Sequence, residues 1–88
     1  MDNINIEDIY NQAGVMYYDN DVEIFIKKII FEIYQSNWQQ LKNIQIYHID
    51  HAISKFKEIR EKKKIYNTKN YFKACLKSSL EELGIDEY

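Results

Sequence analysis

Apolar side chains recur at helical spacing in four segments of this 88-residue chain. In residues 5–13, Ile6, Ile9 and Tyr10 fall at i, i+3, i+4. Glu7 and Asp8 suit a helix N-terminal turn and Gly14 ends the run, which predicts a short first helix prone to fraying. The second segment, from about Asp21 to Gln35, places Val22, Phe25, Ile26, Ile29, Ile30 and Ile33 on one broad stripe. Asn20 is the expected N-cap, with Glu23 three residues on as a variant capping box. The β-branched residues leave a strand as the alternative, but Ile26 to Ile30 follows the helical period better than it follows alternation.

Ser36 and Asn37 break that pattern, and Trp38 to Lys42 reads as a helical turn that sets Trp38 and Leu41 on the core. The third helix is predicted from Ile46 or Tyr47 to about Lys62, with Ile49, Ala52, Ile53, Phe56 and Ile59 on one face. The lysines at 62–64 suit its C-terminal dipole. Asn67 or Thr68 is expected to cap a last helix in which Phe72, Cys75, Leu76, Ser79, Leu80 and Leu83 face inward until Gly84 stops it. The predicted fold is all-α, a compact small helical bundle of three longer helices plus one or two short ones. As a single domain it divides into a loosely ordered segment 1–20, a bundle core 21–83 and a tail 84–88.

Composition supports helices. There is no proline, and Gly14 and Gly84 are the only glycines, so a turn-rich β fold is excluded. With 45% apolar and 30% charged residues the chain is an ordinary globular one, and at this length it has room for one core. Cys75 is the sole cysteine, so no intrachain disulfide forms. The acidic start lacks a signal peptide, and Glu23, Lys27, Lys28 and Glu32 interrupt the most apolar stretch; a cytoplasmic protein with no membrane association is expected.

Net charge is only -2, but it is segregated. Residues 1–23 carry Asp2, Glu7, Asp8, Asp19, Asp21 and Glu23 and no base, whereas residues 55–77 carry Lys55, Lys57, Arg60, Lys62, Lys63, Lys64, Lys69, Lys73 and Lys77 against Glu58 and Glu61. Lysines supply phosphate contacts and exposed tyrosines supply faces on which unpaired bases stack, so Lys62, Lys63, Lys64 and Tyr66 are candidate nucleic-acid contacts. The competing reading is a solvated helix end balanced by the acidic termini. Tyr17, Tyr18, Trp38, Tyr47 and Tyr88 have no place in the stripes and either plug the ends of the core or anchor a partner.

His48 and His51, flanking Asp50, are the only pair with metal-ligand spacing, and no third or fourth ligand accompanies them. Exposed helix residues, or hydrogen-bond donors near a helix end, are the expectation for both. No phosphate loop, nucleophile elbow or paired carboxylate is present, so neither enzyme activity, a metal nor a cofactor is expected.

The string Tyr47-His48-Ile49-Asp50-His51-Ala52-Ile53, with Ile65-Tyr66-Asn67-Thr68-Lys69-Asn70-Tyr71-Phe72-Lys73-Ala74-Cys75-Leu76-Lys77-Ser78-Ser79 after a basic turn, resembles the C-terminal helical domain of RepA-type replication initiators of plasmids and mobile elements in low-GC Gram-positive bacteria. More distantly it is similar to the DnaD-like primosomal helical domain. The resemblance implies DNA replication initiation by recruitment of a protein of the replication machinery, such as primase or a helicase loader. Those initiators also carry an N-terminal winged-helix domain, for which 88 residues leave no room, so a separated module or an isolated domain is expected. Ser78 and Ser79 stand where DnaD-like domains favour an aromatic. Lys69, Tyr71, Lys73 and Lys77 are the candidate partner-binding residues. Single-stranded DNA binding without sequence preference and a decoy that inhibits a host or phage complex are the alternatives; oligomeric state is left open.

Overall fold

The computed structural model describes residues 5–84, with side chains to 82. Every regular element among them is helical: α1 (Ile6–Ala13), a 3₁₀ turn at Val15–Tyr17, α2 (Asn20–Asn37), a second 3₁₀ turn at Trp38–Leu41, α3 (Ile46–Lys62) and α4 (Thr68–Gly84). The protein is therefore an all-α bundle of three longer helices and shorter ones, as its periodicity predicts. The expected tail 85–88 with Tyr88, and the inward side chain of Leu83, lie outside the described residues. Two compact units divide between Ile46 and Tyr47.

In the first unit, the Asn5 side chain accepts a hydrogen bond from the Glu7 amide at 2.7 Å and caps α1. Gly14 closes the helix in the left-handed region (φ 70, ψ 30), donating its amide to the carbonyls of Tyr10 and Asn11. A Cβ at Gly14 would overlap the Ile46 side chain and approach Tyr17 Cδ2 to 3.2 Å. Gly14→Ala therefore combines a disfavoured backbone with a displaced side chain and is expected to cost about 1 to 2 kcal/mol in urea unfolding. The core starts before residue 21: Ile9, Ala13 and Val15 are buried. Gln12 donates from Nε2 to the carbonyls of Lys42 at 3.2 Å and Ile44 at 3.3 Å, tying α1 to the strand of chain ahead of α3.

The N-cap of α2 is Asp19, one residue before the expected Asn20. Its side chain makes no capping bond; its carbonyl accepts the Glu23 amide at 2.8 Å. Glu23, instead of reaching back as in a capping box, pairs with Lys27 at 3.3 Å one turn on. Ile26, Ile29, Ile30 and Ile33 are buried at i, i+3, i+4, i+7. Each such side chain contributes about 1.5 to 3 kcal/mol on leaving water, which outweighs the few tenths by which β-branching disfavours the helix. Val22, expected on the stripe, is exposed at the first turn, and Phe25 is half-buried. Asn37 accepts from the Gln39 amide to start the second 3₁₀ turn, which buries Leu41 and leaves Trp38 half-buried.

In the second unit, α3 and α4 form an antiparallel hairpin. His51 meets Ser79 while Phe56, further along α3, meets Phe72, earlier on α4. The two phenylalanine rings pack edge to face with centroids 5.8 Å apart. Ile49, Ala52, Phe56, Phe72, Cys75, Leu76 and Ser79 are buried, and Ile53, Ile59 and Leu80 line the edges. Asn67 caps α4: its Oδ1 accepts the Asn70 amide at 3.1 Å and its carbonyl accepts the Tyr71 amide at 3.0 Å.

Candidate interaction surface of the helical hairpin

The connection Lys63 to Asn67 is short because each flanking helix supplies its own closure. The Lys63 amide still donates to the Ile59 carbonyl at 3.0 Å, prolonging the last turn of α3, and Asn67 opens α4 two residues after Ile65. Between these ends lies an open depression of about 390 Å³ lined by Arg60, Lys63, Lys64, Ile65 and Thr68. Its three cations rest on ring faces: Arg60 lies 5.9 Å from the Phe56 centroid, Lys63 5.6 Å from Tyr71, and Lys64 5.5 Å from Tyr66. Ring faces hold these cations in place without neutralising them, and Tyr66 itself is 88% exposed. Lys62, also exposed, stands just before this tip.

The expected partner-binding set is split. At about 100° per residue, Tyr71 and Lys73 point to nearly opposite flanks of α4. The half-buried Tyr71 ring sits on the tip side, under Lys63, whereas Lys69, Lys73 and Lys77 follow one another every fourth residue along the other flank. One continuous cationic surface running through all four residues is therefore not what the helix presents. Lys55 leaves the basic set as well. Its ammonium donates to Ser78 Oγ at 3.2 Å and to Glu82 Oε2 at 3.4 Å, and Ser78 donates to the same carboxylate at 3.0 Å. Part of the acidic end of α4 thus balances part of the basic stretch within this unit.

That clamp has a pH signature. The hydrogen bond from Ser78, then the hydrogen bond and charge of Lys55, hold the Glu82 carboxyl below its ordinary 4.5, against a smaller opposing effect of desolvation and with a minor further pull from His51. A carboxyl more acidic folded than unfolded stabilises the fold above its unfolded pKa, and that contribution is lost as pH falls through the lower folded value. Wild type is expected to exceed Glu82→Gln in stability near neutrality and to converge with it in strongly acidic solution, as thermal melts across pH would record.

Neither histidine is an exposed helix residue, the first of the two alternatives expected. His48 is 1% exposed, because it lies four residues before Ala52 and eight before Phe56 on the buried row. His51 is half-buried mid-helix, with Nδ1 2.7 Å from the hydroxyl of fully buried Ser79, a hydrogen bond that joins the two helices. Among the described residues no group of three or more His, Cys, Asp or Glu is placed to hold a metal ion. Burial raises the pKa of the Cys75 thiol against the pull of Lys55, which leaves it a packing group.

Arg60, Ile65 and Thr68 were outside the candidate nucleic-acid set. The spacing of Arg60, Lys63 and Lys64 at i, i+3, i+4 was the available signal for the first; Thr68 reaches the depression only because the chain turns back at the tip. No helix among the described residues is long and apolar enough to cross a membrane. No protein family, curated protein or solved structure matches the chain.

Proposed function

We propose that the chain is a non-enzymatic interaction module of a plasmid or mobile-element replication initiator, whose α3–α4 hairpin recruits a primosome or primase-type protein. One observation supports this reading: both strings that carry the family resemblance, Tyr47 to Ile53 and Ile65 to Ser79, fold together as one helical hairpin with Ile49, Ala52, Phe72, Cys75 and Leu76 inward. The lysine row at 69, 73 and 77 then runs along an outer flank, where positive charge speeds and orients encounter with an acidic partner. Pull-downs from a low-GC Gram-positive lysate test it. Capture of primase or a helicase loader by wild type, lost on changing Lys69, Lys73 and Lys77 together to Glu, is the expected result. Equal capture by the variant removes this flank, and capture of a nuclease or defence complex instead favours a decoy.

The hairpin tip favours a second reading, single-stranded nucleic-acid binding. Tyr66 offers an exposed ring beside Lys64, Arg60 and Lys63 line the same depression as Lys64, and exposed Lys62 precedes them. Labelled oligo-dT is expected to bind with little sequence preference and to be released steeply by salt. No anisotropy change at low salt and high protein concentration overturns it.

A further inference from the structure

We infer that the depression at the hairpin tip is a seat for a phosphate monoester, of the kind carried at the 5′ end of a nucleic-acid strand. The inference rests on the nucleic-acid reading of the same surface and narrows it from a charged face to a single site with a preferred group.

The seat is an open depression with a largely cationic lining. At about 390 Å³ it lies within the roughly 300 to 1,000 Å³ of small-molecule sites, enough for a phosphate and part of the nucleotide that bears it. Arg60 supplies a planar guanidinium that can take two phosphate oxygens at once, Lys63 and Lys64 supply point charges, and Thr68 supplies a hydroxyl. Ile65 gives the lining an apolar patch suited to a sugar. Three cations line this one depression, none ion-paired to a carboxylate among the described residues, and together they match a dianion better than the single charge of a backbone phosphodiester. A monoester carries about -1.5 to -2 at neutral pH and three acceptor oxygens. The exposed ring of Tyr66, its centroid 5.5 Å from the Nζ of the Lys64 that lines the seat, is available to the adjoining base.

Isotope-labelled full-length protein titrated at low salt tests the seat, with amide shifts read by NMR. The probes are two otherwise identical dT octamers, one with a 5′ phosphate and one with a 5′ hydroxyl, together with inorganic phosphate and a phosphoserine peptide. The phosphorylated octamer is expected to shift the amides of Lys63, Lys64 and Thr68 and to bind about tenfold more tightly than the hydroxyl form, the worth of one charge-assisted hydrogen bond. Arg60→Ala, and separately Thr68→Val, should shrink that preference, while reversal of two exposed charges in the first unit, Lys28→Glu with Lys42→Glu, leaves it intact. Equal binding of the two octamers overturns the seat and keeps strand binding. Shifts with inorganic phosphate but with neither octamer keep the seat and overturn the nucleic-acid reading. Tighter binding of the phosphopeptide than of the phosphorylated octamer overturns the assignment to strand ends, and silence with every probe overturns both.

Discussion

Phe72→Ala is expected to lower the unfolding free energy by about 3 to 5 kcal/mol, the usual cost of deleting a buried ring and leaving its cavity. Phe72 is only 3% exposed and holds the edge of its ring to the face of Phe56 or the reverse, at an interplanar angle of 80°. A chain of this length has roughly 4 to 13 kcal/mol in total, so the variant stands at the margin of folding. Its melting temperature should fall by about 15 °C or more. Phe72→Leu keeps most of the apolar volume and should lose far less. Far-ultraviolet melts of the three proteins measure the difference, and a near-neutral Phe72→Ala contradicts the packing of α3 on α4 described above.

Changing Arg60, Lys63 and Lys64 together to Glu is expected to weaken oligo-dT binding about a hundredfold or more at low salt. Each lost phosphate contact also removes about 0.7 from the slope of log affinity against log salt for single strands, so the slope should flatten by roughly 2. Some stability is lost with them, because the three cations suit the C-terminal end of α3 and rest on ring faces, but none is buried, so the loss should be small beside that of Phe72→Ala. Reversal of Lys69, Lys73 and Lys77 serves as the comparison of equal charge. If the second triple variant loses as much binding as the first, strand contact spreads over both flanks of α4.

Helical periodicity made most of the architecture readable. The stripes through Ile26 to Ile33, Ile49 to Phe56 and Phe72 to Ser79 are buried where a 3.6-residue repeat puts them, and Gly14 and Asn67 stand where the helices end and begin. What escaped the pattern sits outside regular repeats. Ile44, in the non-helical residues before α3, is fully buried yet has no periodic neighbours to announce it. His48 is hidden because imidazole is counted as polar, although its position on the helix belongs to the Ala52 and Phe56 row. For the candidate site, composition located the charge but not its grouping. Counting lysines merged Tyr71 with Lys73, which a helix turns apart, and missed Thr68, which chain reversal brings to Arg60 and Lys64.

The opposed flanks of α4 bear on competition. Ligands that share a face exclude one another, whereas the row at 69, 73 and 77 runs along one flank of α4 and the depression around Arg60 lies at the tip of the same pair of helices. Ligands on the two would meet only near Lys69, which follows Thr68 of the tip, and the coupling expected between Lys73, Lys77 and the tip is electrostatic and shrinks with ionic strength. If the tip holds a strand end and the side holds a protein, as proposed above, one small hairpin would bridge the two in a three-component assembly.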